Sequence, residues 1–441
     1  MDEIIARIFA VIEEHRQEIL DFGRDLYDHA ELGYKEFRTS GAFVEKARQL
    51  GLPVEDGLAI TGAKAYLNRE KAGTASLALL GELDALRIPN QAHANPETGA
   101  AHCCGHHAQM AGLVGAAIAL SDPQVAAALD GQVIFFATPA EEYGEVEFKK
   151  SLMKEGKISY GGGKCELLRI GAFDDVDLVV AHHITMIPGI QLSSSSGNGF
   201  VSKVITIQGK AAHAAAFPEQ GINALSAASL GLQALGLNRE TFRDEDCVRV
   251  HPIMTKGGDL VNVVPETAVI ETLVRAKNLA AIEDASKKTD RSFKAGALAL
   301  GAGITIETMP GYLPCLPQEA PQPVADTLSQ LFDNVTQNDL TKHRGGSSDV
   351  GDVQHLMPVF SFNTGGAAGG LHSSQFAIVD EENAYLDAAR VFAVYAYELL
   401  KNGAALARQQ VEEYQPRFAS KEEYVAYMDG FSGIEKIDPE A

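Results

Sequence analysis

The chain reads as a series of short apolar runs, each stopped by polar or acidic residues. Residues 75–80 stop at Gly81-Glu82-Leu83-Asp84, and residues 132–137 stop at Thr138-Pro139-Ala140-Glu141-Glu142. Residues 177–181 stop at His182-His183, and 358–362 stop at Asn363, from which a glycine-rich loop over 365–370 leads to Leu371-His372. Runs of this length bounded by turn residues predict buried strands. Between them, residues 109–120 form a small-residue helical stretch. Residues 3–50 also read as helix, with Ile4, Ile5, Ile8, Ile12 and Ile19 at near-helical spacing. Strands alternating with helices predict an α/β fold with a mostly parallel central sheet flanked by helices. In such sheets ligands bind beyond the carboxyl ends of the strands, where the polar stops fall.

The middle of the chain has another texture. Residues 201–208 (VSKVITIQ) alternate like a half-buried strand; a helical stretch over 223–237 follows, then strands over 248–253 and 268–274. This pattern, running from about Asn198 to about Pro310, predicts an inserted α+β domain. The expected division is 1–197 and 312–401 for the two parts of a catalytic domain, 198–311 for the insertion, and 402–441 for a C-terminal extension.

Composition narrows the function classes. A formal net charge of −22, from 37 basic and 59 acidic residues, argues against a nucleic-acid partner, which needs a basic face. No run of 18 apolar residues predicts a membrane span, and the start of the chain does not read as a signal peptide. Five cysteines without a paired framework fit a reducing cytoplasm. There is no Walker motif, no HExxH and no GxSxG, and Gly161-Gly162-Gly163 reads as a turn.

The candidate chemistry centres on His102-Cys103-Cys104-Gly105-His106-His107, since thiolate and imidazole suit a borderline-soft metal. Together with Asp84, Glu141, Glu142, His183 and His372, it supplies enough donors for two ions. His182 and His183 compete for one ligand position. Cys103 reads as a buried neighbour, and His15, His29, His93, His251 and His355 as ordinary structural histidines.

These residues, in this order, resemble a known family. Gly81-Glu82-Leu83-Asp84-Ala85-Leu86, His102-x-Cys104-Gly105-His106, Pro139-Ala140-Glu141-Glu142, a strand-terminal His183, Gly209-Lys210-x-x-His213-Ala214, Asn262-x-x-Pro265 and His372 are similar to motifs of the dinuclear metallo-amidohydrolases of the aminoacylase and carboxypeptidase-G group. The likeness points to the branch of hippurate hydrolase, auxin-conjugate hydrolases and aminobenzoyl-glutamate hydrolase. It implies a zinc-exopeptidase-like fold whose inserted domain acts as lid and dimerises. It also implies two divalent ions, zinc first, with manganese or cobalt able to use the same donors.

The resemblance further implies Cys104 as the shared metal ligand and His106, Glu142, His183 and His372 as terminal ligands. Glu141 matches the general base that deprotonates a metal-activated water and then protonates the leaving amine. Asp84 matches the carboxylate that orients a ligand imidazole, and His213 the histidine that reaches a partner's active site in dimeric relatives. Asn262 and Arg275 match substrate-carboxylate positions, while Gly370, with 369–371 and 345–349, would line the pocket. The implied reaction is hydrolysis of the amide of N-acyl, N-aroyl or aminoacyl amino acids. The alternatives are a dipeptidase or carboxypeptidase on the same scaffold, or a non-catalytic metal-binding scaffold protein. The chain departs from the pattern at His107, at Gln109 and in an extra segment over 145–161. The first two are expected to bear on the substrate; the segment reads equally as a lid or an interface.

Overall fold

The computed structural model describes residues 2–438 and divides into two compact units. Among the described residues, the first comprises 2–195, 316–342 and 352–421; the second comprises 196–315, 343–351 and 422–438.

The first unit is built on an eight-stranded sheet in the order Val54–Leu58, Gly62–Leu67, Gln132–Thr138, Ser76–Glu82, Leu178–Ile184, Val359–Thr364, Ile190–Leu192 and Val335–Gln337. Its four central strands, from Gln132–Thr138 to Val359–Thr364, are mutually parallel. The apolar runs of the sequence form these four strands, and the polar stops lie at or beyond one shared end of the sheet. Parallel strands are covered on both faces, which explains why they read as continuous apolar runs. Three of the four are fully buried along their length or nearly so. Helix His106–Leu120 is buried at every position and packs against strand Ser76–Glu82 and helix Asp387–Glu413. A helix that is apolar all round belongs inside a layered core.

The stretch 3–50 is three helices, Glu3–Glu14, Arg16–Asp28 and Phe37–Gln49, not one. Asp2 caps the first by accepting from the amides of Ile4 and Ile5.

The second unit is an α+β layer pair. Its sheet has the order Arg249–Val250, Thr267–Ala276, Gly199–Gln208, Gly303–Pro310 and Gly433–Ile437, with Ile253–Lys256 also pairing with Thr267–Ala276. Thr267–Ala276 alternates half-buried and buried positions, as a strand with one covered face must. Helices Ala224–Leu237 and Leu279–Ala299 cover that face. The second of these helices was not evident from the apolar periodicity. The end of the chain contributes its strand Gly433–Ile437 antiparallel to Gly303–Pro310.

Candidate metal centre and its surroundings

Strand ends and one helix start bring the donor atoms together within the first unit. Cys104 and His106 flank Gly105, whose φ of 87° leads into helix His106–Leu120. A side chain at Gly105 would run into Ile184, so both the turn and the close approach require glycine. His183 lies on strand Leu178–Ile184, and His372 follows the loop after Val359–Thr364 with a φ of 57°. The amide of His372 donates to the Cys103 carbonyl at 2.8 Å, tying that loop to the cysteine run.

The result is two groups of donors sharing one sulfur: Cys104 with His106 and His183, and Cys104 with Glu142 and His372. The donor atoms in each group lie within 4.8 Å of one another. Cys104 Sγ is 3.4 Å from Nε2 of His183 and 3.4 Å from Nε2 of His372. Ligands of one ion at ordinary zinc–sulfur and zinc–nitrogen distances stand roughly 3.5 Å apart. Glu142 Oε1 and His372 Nε2 are 3.2 Å apart, yet Glu142 Oε1 is buried without a hydrogen-bond partner among the described residues. Side-by-side donors that do not bond each other fit a shared metal.

His182 points to the other face of its strand, as period two demands. Its Nε2 meets Thr364 Oγ1 at 2.8 Å and its ring stacks on Phe362, away from Cys104.

Asp84 is fully buried and joins two of these residues. Its carbonyl oxygen and Oδ1 lie 2.9 and 3.2 Å from His106 Nδ1, and its Oδ2 accepts from the Glu142 amide at 2.9 Å. Burial pushes its carboxyl up, but the bond and charge of His106 together with the bond from the Glu142 amide hold it below its ordinary value. Nδ1 of His106 therefore carries the proton, and Nε2 presents its lone pair to the centre.

Glu141 and Glu142 leave their strand through Ala140, whose φ is 48°. Three contacts hold that strained residue. The buried Glu36 accepts from its amide at 2.8 Å, Gly33 packs on its Cα and Cβ, and its carbonyl accepts from Gly163 at 3.1 Å. A side chain at Gly163 would overlap the Pro139 carbonyl, so the glycine run is where helix Gly163–Arg169 presses on the site loop. Glu36 is pushed up to about 7 by burial and then by the charge of Asp84. Glu141 Oε2 stands 4.0 Å from His106 Nε2. Residues 145–161 include helix Val146–Lys154, and its buried Lys149 donates to the Glu142 carbonyl at 2.7 Å.

Sequence reasoning missed Glu82, Lys164 and Glu36. Glu82 Oε2 lies 3.1 Å from His106 Nε2, and Glu82 Oε1 accepts from Lys164 at 2.6 Å. Period two along a strand puts Glu82 and Asp84 on one face, a signal that was available. Nothing in the sequence announces Lys164. Gln109 touches Glu82 rather than any substrate position evident here. His107 is fully buried beside Tyr27, His102 and Tyr385. His93 bonds Asp28 at 2.7 Å.

The remaining candidates lie on the second unit, apart from Gly370, which has a φ of 86° in the loop before His372. His213 is exposed and bridges to Val263, and its Nδ1 accepts from the amides of Ala215 and Ala216 at 3.2 and 3.1 Å. Its proton is therefore on Nε2. The Asn262 carbonyl accepts from the Ala214 amide, so His213 and Asn262 are neighbours. Arg275 sits near the far end of Thr267–Ala276, opposite Phe200. The carbonyls of Gly345 and Gly346 accept from Asn198.

Residues 78–398 match the model of peptidase family M20/M25/M40. The chain is 28% identical over 363 residues to the Xaa-Arg dipeptidase of Mus musculus, covering 79% of this chain and 76% of that one. It is 29% identical over 315 residues to one subunit of the p-aminobenzoyl-glutamate hydrolase of Escherichia coli K12, covering 70% and 60% respectively. Its fold is similar to a solved Bacillus subtilis structure described as a dinuclear metal binding peptidase. That match has a TM-score of 0.63 and 22% identity over 88% of this chain and 99% of that one. The chain belongs to peptidase family M20/M25/M40, and by class it is a hydrolase of amide bonds.

Proposed function

We propose that this chain hydrolyses the amide joining an acyl, aroyl or aminoacyl group to the amine of a free amino acid. The observation that carries the reading is the pair of donor groups sharing Cys104, with Glu141 beside them. Cys104, His106, Glu142, His183 and His372 would hold two divalent ions, zinc first. When bound, such ions supply a Lewis acid and lower the pKa of water. The chain's own residues do the rest. Glu141 takes a proton from the attacking water and delivers it to the amine nitrogen as the C–O bond forms and the C–N bond breaks. Asp84 fixes the tautomer of His106. His213, acting from a second copy, donates its Nε2 proton to the carbonyl oxygen as charge grows there. Asn262 and Arg275 receive the substrate carboxylate, and Gly370 leaves room in the pocket wall.

A homodimer through the second unit is supported by its exposed edge strand Ile253–Lys256 and by exposed Leu260 and Val261. The domain reading follows, with residues 198–311 as the core of a lid and dimerisation domain. The net charge of −22 speaks against a nucleic-acid partner. No helix among the described residues is long and apolar enough to cross a membrane. A cytoplasmic location is proposed from the five free cysteines.

The second reading, a dipeptidase on the same scaffold, is favoured by the likeness to the mouse Xaa-Arg dipeptidase. A screen of metal-loaded protein on hippurate-like, aminobenzoyl-glutamate-like and dipeptide amides separates the two. Turnover confined to dipeptides overturns the first reading. No turnover of any amide, in folded and metal-loaded protein, returns the chain to the scaffold alternative.

A further inference from the structure

The buried Glu82–Lys164 pair has no part in the five-ligand set, yet it stands against one of the five. Glu82 Oε1 accepts from Lys164 Nζ at 2.6 Å; Oε2 accepts from Gln109 Nε2 at 2.7 Å and lies 3.1 Å from His106 Nε2. Gln109 also accepts from the Glu82 amide at 3.1 Å, so it fixes both the backbone and the carboxylate. All four side chains are almost wholly buried.

Nε2 of His106 is fully buried and makes no well-aligned hydrogen bond among the described residues, so Glu82 Oε2, 3.1 Å away, is its neighbour as an ion pair only when the imidazole carries a second proton. The Nδ1 proton of this imidazole is committed to Asp84, which leaves Nε2 as the nitrogen a metal would take by displacing its proton. Two such atoms 3.1 Å apart in a dry interior call for a cation between them, a proton in the metal-free protein or a metal ion in its place. Metal–nitrogen and metal–oxygen bonds of about 2.0–2.2 Å place neighbouring ligands roughly 2.9–3.4 Å apart. Glu82, His106 and Glu141 indeed form a third donor group, with atoms within 4.8 Å of one another.

We propose that Glu82 is a sixth protein donor of the metal centre, sharing an ion with His106. Lys164 and Gln109 are positioning residues that hold its carboxylate there. Oε1 is occupied by the lysine, so Oε2 binds through its remaining lone pair, in a monodentate manner. The lysine also supplies a countercharge for Glu82 before metal arrives. This inference rests on the reading that the centre binds metal.

Cobalt titration of the full chain tests it, with metal content by mass spectrometry and the visible cobalt bands as readouts. The variants are E82Q, K164M and the double variant E82Q/K164M, which removes both charges together and guards against misfolding. Loss of Glu82 is expected to weaken one of two cobalt ions by about 10- to 100-fold, with a shift of its visible bands. K164M is expected to lower the Tm of metal-free protein, and cobalt is expected to shrink that gap from wild type. Wild-type affinity and unchanged bands in the double variant, or a K164M gap that cobalt leaves unchanged, overturn the inference alone. Folded wild-type protein that binds no cobalt overturns the metal reading beneath it, and this inference with it.

Discussion

Two sets of histidines lie side by side in the run from His102 to His107 and behave in opposite ways. His106, with Cys104, faces a set of buried carboxylates. Burial pushes its imidazole down, but Glu82, Cys104 and Asp84 together lift it well above its ordinary value in the metal-free protein. His102 and His107 are as deeply buried but face Tyr27, Tyr385 and each other. Burial holds His102 down at about 3 and His107 well below its ordinary value. All four of their ring nitrogens lack a hydrogen-bond partner among the described residues. The same residue type thus stands as a candidate donor on one side of a turn and as neutral filler on the other. What separates them is the company of carboxylates, not local sequence.

The largest effect expected from breaking that contrast follows metal removal. Chelation of the loaded protein should abolish amide hydrolysis, and zinc, manganese or cobalt should restore it; full activity after chelation, with metal content confirmed as nil, would sink the reading. Next comes Glu141→Gln, which should lower kcat by about 10²–10⁴-fold while leaving metal stoichiometry unchanged. A smaller effect is expected for His107→Phe on the filler side. It should retain both ions at wild-type affinity, and loss of either ion would show that the two sets are not separate in function.

The smallest effect concerns Glu36, which clamps the strained Ala140. Its carboxyl rises from 4.5 in the unfolded chain to about 7 in the fold, because burial and Asp84 favour the neutral form. A raised acid stabilises the fold fully below pH 4.5 and loses that contribution as pH climbs through 7. Metal-free wild type should therefore lose Tm between about pH 4.5 and 7 relative to Glu36→Gln. Parallel Tm curves for the two proteins across that window would refute this.

Much of the first unit was legible because its strands are buried on both faces and so read as unbroken apolar runs. The positions of Glu142, His183 and His372 were legible because each follows such a run, and Cys104 because it stands in the cysteine–histidine run. Glu82 stands in the polar stop after residues 75–80 but was passed over for Asp84, because only the tertiary contact with His106 and Lys164 shows what it faces. Helix Leu279–Ala299 escaped because lysines and aspartates dilute its apolar stripe.

By itself, the sequence determined the α/β class, the shared end of the sheet and the positions of most candidate donors, since periodicity and turn chemistry are local. Tertiary structure alone decided which donors share Cys104, which of His182 and His183 turns toward it, and that Lys164 meets Glu82 across the core. Those facts depend on how strands and loops remote in the chain stack together. Cys104 and His372 meet although 268 positions separate them, and spacing along the chain carries no information about such a meeting.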